Sequence, residues 1–377
     1  MRATPSAHPK ASSAPRRIAS ALGAASDSAI VQVDGYAVAF THLDRIYWPA
    51  VESLAQAPIT KRDFLRYLAF VAPLMLPQLR DRPLTLFRWP EGLARRRVLE
   101  KHWKIALPAF VERVDVFSDA KGHSDQYVLC NNLATLLWLG QMGTLEFHAW
   151  HSRVRGGSDA QDAGMDFATS DTALEDSVLE RPDYVLFDLD PFIDGEGERR
   201  RDPDFSSSAF AKVTDVAFAL EAVLRGIGLS ALVKTSGKTG LHVIVPIKRT
   251  LRYAAVREMA GYVGERLRQA HPRDITLDWQ VTRRTGKVFI DANMNVRGKS
   301  ISIAYSPRGL PGAPVSTPLT WKELRRIDPR ALRVPTIPAR IRKRGNPWNG
   351  WLGSAQSIED ALARDAATRK RRTEVHR

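Results

Sequence analysis

The chain has 377 residues, a formal net charge of +15 and an isoelectric point near 10.1. Hydrophobic residues make up 44% and charged residues 26%, which is typical of a globular protein. A single cysteine, Cys130, excludes intramolecular disulfides and a cysteine-rich zinc site, and no apolar run reaches the roughly 20 residues that span a bilayer.

The excess of positive charge favours a polyanionic partner, with nucleic acid ahead of a membrane surface. A surface that is basic without a specific partner is the alternative. The first 25 residues lack the apolar core of a secretory signal, so we expect a cytoplasmic protein with no membrane partner.

Both ends of the chain are basic. Residues 1–28 are rich in Ala, Ser and Pro, which predicts a disordered basic tail. Residues 351–377 form a C-terminal segment that closes with the basic run ATRKRRTEVHR. We expect one domain over 29–350 and tails that contact the DNA backbone, although such runs can also be nuclear signals.

The middle of the chain alternates between helical and strand patterns. Thr60, with Asp63 three residues on, is a plausible N-cap for a helix. Further helices are predicted over 131–143, 206–228 and 253–272, and strands over 81–90, 144–154, 183–191, 230–247, 286–295 and 299–309. This mixture predicts an α+β fold with a mixed or antiparallel sheet around 183–191.

One segment departs from the composition of the rest. Seven acidic residues and no Lys or Arg lie between Ser158 and Glu180. We therefore predict an acidic surface loop or insertion over 155–181, flexible rather than catalytic.

Two aspartates stand one residue apart in the predicted strand DYVLFDLDP. Strand side chains alternate faces, so Asp188 and Asp190 point the same way. Paired carboxylates suit Mg²⁺ or Mn²⁺, and Asp291, at the end of a second apolar strand, is the best candidate for a third ligand. Such a set predicts two-metal phosphoryl or nucleotidyl transfer, whereas the pair alone could be a turn cap.

A glycine-containing turn, KTSGKTGLH, follows the next helix. Ser236 and Lys238 suit phosphate oxygens, with His242 two residues into the next strand. A simple hairpin turn with a core histidine is the alternative for His242, and the spacing is not that of a P-loop. His148 and His151, three apart on a strand, face opposite sides, so only one of them could reach a substrate phosphate.

Taken together, these segments resemble the polymerase domain of bacterial ligase D, a member of the archaeo-eukaryotic primase superfamily. The resemblance runs from about Ala39 to Asn349, in the order of the family. The segments that carry it are FTHLDRIYWP, ITKRDFLRYL, LPQLRDRPLTLFRWPEG, LEFHAWHSR, VLFDLDP, KTSGKTGLHVIVPI, KVFIDANMNVRGKSISIAYSPRG and NPWNG.

The resemblance implies a primase-like catalytic core, a mixed or antiparallel sheet with flanking helices in an RRM-like palm, plus an N-terminal α/β subdomain. Catalytic metal ligands would be Asp188, Asp190 and Asp291. Nucleotide-binding residues would be His148, Ser236, Lys238, His242 and Arg308, and DNA-binding residues would be Lys61, Arg62, Lys101 and Arg297. The cofactor would be Mn²⁺ or Mg²⁺ in a two-metal site.

The implied activity is template-dependent addition of ribo- or deoxynucleotides to the 3′ end of DNA at breaks or gaps, in non-homologous end joining. Implied partners are DNA ends or gapped DNA, NTP or dNTP, the end-binding protein Ku and a separate ligase, at the nucleoid. No K-x-D-G ligase motif is present, so we expect a stand-alone polymerase module. The alternatives are a catalytically degenerate end-binding scaffold and a metal-dependent nuclease.

Overall fold

The computed structural model describes residues 13–192 and 205–364. The helices are α1 (Ser13–Ala24), α2 (Lys61–Leu79), α3 (Leu133–Gln141), α4 (Asp171–Glu175), α5 (Ser207–Gly226), α6 (Tyr253–Ala270), α7 (Trp321–Leu324) and α8 (Ile337–Arg344). A further helical stretch covers 358–364.

The strands are β1 (Ala29–Val33), β2 (Tyr36–Phe40), β3 (Ile46–Trp48), β4 (Ile59–Thr60), β5 (Leu84–Arg88), β6 (Val98–Glu100), β7 (Arg113–Ser118), β8 (His123–Val128), β9 (Thr144–Trp150), β10 (Tyr184–Pro191), β11 (Leu232–Thr235), β12 (Leu241–Pro246), β13 (Ile275–Thr276), β14 (Val288–Asp291), β15 (Ser300–Ser302) and β16 (Pro318–Leu319). The mixture of helices with largely antiparallel sheets confirms the predicted α+β class.

The helices that the sequence marks most clearly start at side-chain caps. Thr60 accepts a hydrogen bond from the Asp63 amide, and the Asp63 carboxylate accepts one from the Thr60 amide 3.1 Å away. Asn132 caps α3 and Ser206 caps α5 in the same way, through side-chain oxygens. These caps satisfy amides that the first helical turn leaves without partners, which is why the predicted starts agree with the structure.

The larger sheet has six strands in the order β13-β14-β10-β12-β11-β16. Every neighbouring pair is antiparallel except β13 and β14. Helices α5 and α6 pack against β10, which buries its apolar residues from Tyr184 to Phe187. The central position of β10 confirms a mixed sheet around 183–191.

A second sheet has four strands in the order β15-β9-β5-β6. The strands ending at Asp291 and beginning at Ser300 therefore belong to different sheets, although they follow each other in the chain. Asn295 lies buried in the connection, where its side-chain amide donates to the Leu186 carbonyl at 2.7 Å and its oxygen accepts from the Leu186 amide at 2.9 Å. This bidentate pair fixes the crossing point between the two sheets.

The prediction of a disordered tail over 1–28 is wrong for residues 13–28. Helix α1 packs against α2 and buries Ile18 and Leu22, which are spaced one helical turn apart. The Arg62 guanidinium donates to the carbonyl groups of Ala25 at 2.8 Å and Ser26 at 2.6 Å, just after the end of α1. The alanine-rich composition concealed a helix with one apolar stripe, and residues 1–12 lie outside the described part.

The acidic segment predicted over 155–181 is mostly irregular, in agreement with a loop, and its flexibility stays a prediction. The segment contains α4, and its carboxylates meet arginines from other parts of the chain. Asp159 pairs with Arg249 at 2.9 Å, and Asp171 and Glu180 both pair with Arg297, at 2.7 and 2.9 Å. The acidic run is therefore a neutralised, folded segment of the surface.

The expected boundary at residue 350 does not separate the C-terminal segment from the core. Trp351, Ile358 and Ala361 are buried in the main apolar cluster. The basic run predicted as a tail covers 367–377, which lies outside the described residues. In the part of the chain that is described, none of the helices combines the length and apolar character needed to cross a membrane.

Candidate active site

Three acids come together on two paired strands. Strand register places Asp188 of β10 opposite Asp291 of β14, and Asp190 follows two residues along β10 on the same face. Burial raises the pKa of Asp188 well above its usual range, and the charges of Asp190 and Asp291 raise it further. Burial also raises the pKa of Asp291. The structure thus brings the three predicted acids together at an energetic cost.

The donor set has the chemistry of a site for hard cations. Asp291 raises the pKa of both Asp188 and Asp190, and a dication would stabilise these carboxylates in the ionised form. Among residues 13–192 and 205–364, however, no three Asp, Glu, His or Cys side chains already stand close enough to hold one ion. The residues fit the ion by type and charge, and their side chains would have to close around it.

A histidine and a lysine lie behind Asp188. His242 Nε2 is 3.3 Å from Asp188 Oδ1, and His242 Nδ1 is 2.5 Å from Lys234 Nζ. Lys234 is buried and also donates to the Ser302 carbonyl at 2.8 Å and to Ser316 Oγ at 2.6 Å. Burial lowers the pKa of His242, and the neighbouring Lys234 lowers it further. His242 is therefore both a core histidine and a direct neighbour of a proposed metal ligand.

The glycine turn closes tightly around a serine. Ser236 Oγ accepts hydrogen bonds from the amides of Lys238 and Gly240, each at 3.1 Å. Gly237 has φ +78°, and a Cβ there would lie 2.7 Å from the Arg308 side chain. A Cβ on Gly240 would lie 2.3 Å from the Leu189 carbonyl, next to Asp190. The turn can approach the acids this closely only because both positions are glycine.

Across from the turn, Glu146 joins two of the predicted nucleotide-binding residues. Its Oε2 lies 3.0 Å from an Arg308 terminal nitrogen and 3.1 Å from His148 Nε2, and its Oε1 accepts from the Gly309 amide at 2.9 Å. Arg308 also donates to the Ser236 carbonyl at 3.2 Å, so it connects the turn with the second sheet. His148, Ser236 and Arg308 therefore face one cleft.

One N–H group of the Arg308 guanidinium could donate a hydrogen bond to a ligand. Its Nε is buried and has no hydrogen-bond partner among the described residues. A buried guanidinium N–H without an acceptor is costly, and an anionic oxygen from a ligand would satisfy it. His151 lies apart from this cleft, buried against the rings of Tyr184 and Tyr253, so the two histidines are not a metal pair.

An aromatic and cationic cluster lies at the open side of the acids. The Arg284 guanidinium stacks 3.5 Å from the Phe289 ring centroid and donates to the Trp279 carbonyl at 2.6 Å. Its charge opposes the rise in pKa of Asp190 and Asp291. Trp279 itself is 63% exposed. A basic, aromatic rim of this kind suits a nucleic-acid strand.

The four predicted DNA-binding residues lie in different environments. Lys61 is only 2% exposed and donates to the Thr41 carbonyl at 3.0 Å; burial, and then Arg45, lower its pKa to about 8. Arg62 pairs with Asp44 at 2.8 Å. Arg62 and Arg297 are thus engaged within the protein, whereas Lys101 is exposed on the surface. Their contacts with DNA remain predictions.

Sequence reasoning missed Glu146, Lys234 and Arg284. Glu146 precedes His148 by two residues on β9, so strand alternation places both on one face and could have indicated it. Lys234 precedes Ser236 by the same interval. Arg284 had no local signal, because its position depends on how the 277–287 connection folds over Phe289.

Comparison with known proteins assigns this arrangement to a family. The family model described as "LigD, primase-polymerase domain" matches residues 60–348. The multifunctional non-homologous end joining protein LigD of Pseudomonas aeruginosa is 28% identical over 331 residues, which cover 87% of this chain and 34% of that protein. The multifunctional non-homologous end joining DNA repair protein LigD of Mycobacterium tuberculosis is 30% identical over 311 residues, 82% of this chain and 36% of that protein.

A solved structure agrees with this. The polymerase domain of Mycobacterium tuberculosis ligase D in complex with DNA matches with a TM-score of 0.69 and 27% identity, over 85% of this chain and 99% of that one. The chain spans about a third of the length of the curated LigD proteins it matches.

Proposed function

The chain belongs to the LigD primase-polymerase domain family, and from this membership and its acid cluster we propose that it is a template-dependent nucleotidyltransferase. It adds nucleotides to the 3′ end of DNA at breaks or gaps, within non-homologous end joining. The observation that carries the proposal is the register of Asp188 against Asp291, which places three acids beside the Ser236 turn.

Asp188, Asp190 and Asp291 would hold two Mn²⁺ or Mg²⁺ ions. When bound, such ions supply positive charge that activates the attacking 3′-hydroxyl and neutralises the leaving pyrophosphate. His242 Nε2, 3.3 Å from Asp188 Oδ1, lies where it would limit the positions open to that carboxylate. The Asp291 carboxylate is oriented by the Asn293 amide, which donates to its Oδ1 at 2.9 Å.

The incoming nucleotide's triphosphate would lie between the two sheets. Arg308, with its unpartnered Nε, supplies charge and a directional donor. The Ser236 hydroxyl, whose oxygen accepts from the amides of Lys238 and Gly240, can donate its O–H to a phosphate oxygen, and His148 faces the turn from β9. The cation of Lys238 lowers the pKa of Asp190, so Lys238 is also at the acid cluster.

The DNA would reach the acids from the basic side. Lys61 and Arg45 lie close enough that Arg45 depresses the pKa of Lys61, an arrangement that a 5′-phosphate would relieve. Arg284 and Trp279 would meet the strand at the rim of the acid cluster.

The proposed partners follow from the relatives. The similar solved structure contains DNA, and the similar proteins are named for end joining. We extend this to gapped DNA or DNA ends, to NTP or dNTP, to Ku and to a separate ligase, at the nucleoid in the cytoplasm.

The deciding experiment uses the full chain on a DNA gap with a 5′-phosphate. Primer extension is measured with the four rNTPs against the four dNTPs, each with Mn²⁺ and with Mg²⁺. We expect extension that is lost in Asp190→Ala while gap binding persists, because only the metal-holding acid is removed. Extension by Asp190→Ala at the wild-type rate, or none by the wild type with either metal, contradicts the proposal. Parallel reactions without nucleotide would reveal a nuclease by shortening of the labelled strand.

A further inference from the structure

The neutral form of His148 cannot donate a hydrogen bond into the nucleotide cleft. Its Nε2 lies 3.1 Å from Glu146 Oε2. Glu146 is ionised, because Arg308, the His148 hydrogen bond and the Gly309 amide together outweigh its burial and hold its pKa at about 2. A carboxylate only accepts, so Nε2 carries the hydrogen of the neutral ring. The remaining nitrogen, Nδ1, is then a bare acceptor.

A phosphate oxygen is also an acceptor. It can bond to Nδ1 only if that nitrogen gains a proton, which makes the ring an imidazolium between two anions. Nδ1 has no hydrogen-bond partner among the described residues, and the His148 side chain keeps 12% of its surface exposed. On β5 its neighbours are uncharged: the ring meets the Phe87 edge, with centroids 4.9 Å apart, and Thr85 is its register partner.

We propose that binding of the nucleotide triphosphate loads one proton onto His148, with Glu146 as the positioning residue that directs the proton to Nδ1. The inference rests on the proposed function, because it needs a triphosphate in the cleft between His148, Ser236 and Arg308. Its outcome is nucleotide binding that weakens as pH rises.

The charges that face His148 set the direction of this linkage. Glu146 on its own strand favours the cation, whereas Arg308 on the loop after β15 and Lys234 on β11 oppose it. His242 on β12 is also close enough to interact. Burial is the largest effect, and together these groups hold the pKa of His148 at about 4, so the ring is neutral before the ligand binds. A triphosphate adds negative charge beside a group already paired with a carboxylate, which favours the cation.

The test measures protons rather than turnover. The α,β-methylene analogue of ATP is titrated calorimetrically into the Mn²⁺-saturated full chain at pH 7.5, in two buffers of different ionisation enthalpy. We expect wild type to take up about one proton more per bound analogue than His148→Asn. Protons exchanged by the metal-binding acids or by the analogue itself are common to both proteins and cancel in this difference.

Glu146→Gln tests the positioning role. The carboxylate accepts from the Gly309 amide through Oε1 and from Nε2–H through Oε2, so a glutamine, with one amide oxygen, keeps only one of these contacts and no charge. We therefore expect the extra proton uptake to fall by more than half. The matched control is Glu100→Gln. This change removes the carboxylate of β6 whose Oε2 lies 2.9 Å from an Arg88 terminal nitrogen on β5, and it should leave the proton count unchanged.

The affinity gives a second measurement. Between pH 6 and 8, the affinity of the wild type for the analogue should fall with rising pH more steeply than the affinity of His148→Asn. The difference between the two slopes should reach up to about tenfold per pH unit. Equal proton counts and parallel pH profiles in these two proteins overturn the inference, whether or not Glu146→Gln folds. No binding of the analogue by wild type overturns the proposed function instead.

Discussion

At the scale of single residues, the acid cluster costs the metal-free protein stability. The pKa of Asp188 is raised in the folded state, so the folded protein binds protons more tightly than the unfolded chain. The contribution of Asp188 to the free energy of unfolding therefore falls as pH rises from the acidic range to neutrality. Acids that are held together in spite of their mutual repulsion are a typical compromise between stability and function.

Asp188→Asn should therefore stabilise the metal-free protein at pH 7.5, with a rise in Tm of about 2 °C or more, while abolishing extension. The physical reason is that a neutral amide at this position removes repulsion with Asp190 and Asp291. Thermal unfolding in EDTA measures the effect, with the exposed Asp360→Asn as control. A lower Tm for Asp188→Asn than for wild type would contradict the electrostatic explanation.

Lys61 predicts a pH dependence in the binding of DNA ends. Its pKa of about 8 means that the ammonium is largely charged at pH 7 and largely neutral at pH 9. The preference for a gap with a 5′-phosphate over one with a 5′-hydroxyl should fall several-fold across this range. In Lys61→Arg, which stays charged, the preference should change little.

Fluorescence anisotropy with the two gapped DNAs measures that preference. If the wild-type ratio is constant from pH 7 to 9, Lys61 does not bind the phosphate.

The residues that sequence reasoning found share one property. Asp188 and Asp190 are two apart on a strand, and Ser236 follows directly on another, so their faces follow from local periodicity. Lys234 beside His242 and Arg284 beside Phe289 are contacts between segments that the local pattern leaves unrelated. The charges that tune the acids were therefore harder to predict than the acids themselves.

At the scale of elements, the capped helices were predictable and the sheet partners were not. Strand β14 pairs with β10, yet β15, nine residues after Asp291, pairs with β9. Hydrogen-bonding partners depend on long-range packing, which strand patterns do not specify. The helix α1 was missed because an Ala- and Ser-rich segment resembles a linker until its partner helix α2 is known.

The close approach of β12 to β10 makes Gly240 a sensitive position. A Cβ at Gly240 would lie 2.3 Å from the Leu189 carbonyl and 3.1 Å from Asp190 Oδ1. Gly240→Ala should cost about 1–3 kcal/mol of unfolding free energy and most of the extension activity, because the turn must move away from the acids. Denaturant unfolding and primer extension measure the two effects.

Gly226→Ala is the matched control. It lies at the end of α5 with no atom within 4 Å of the added Cβ, so stability should be unchanged or slightly higher. If Gly240→Ala and Gly226→Ala have equal stability and equal extension activity, the turn accommodates a Cβ at position 240 without moving.

At the scale of the whole molecule, much of the arginine charge is neutralised internally, as in the pairs of Arg249 and Arg297 with the acidic segment. Such pairs add no positive charge to the net value, so the excess of +15 comes from Lys and Arg residues elsewhere in the chain. The basic run at 369–377 carries five Lys or Arg residues.

Removing 365–377 should flatten the plot of log affinity for DNA against log salt, by up to about 0.9 per cation released from a phosphate contact. A second variant, with Gln in place of the five Lys and Arg residues, separates charge from chain length. A variant that lacks the N-terminal basic residues should be shortened by residues 1–12 and not by residues 1–28, because α1 is part of the fold. Salt slopes that match the wild type would exclude the C-terminal run from DNA contact.

The exposure of Trp279 gives the protein a built-in optical reporter. The other eight of its nine tryptophans are buried or half-buried, and all nine lie in the described ranges. A collisional quencher such as iodide should therefore reach the indole of Trp279 first, and emission from it should lie at the red edge of the spectrum. Occupation of the acid rim can then be followed by loss of quenching in unlabelled protein, with Trp279→Phe as the blank.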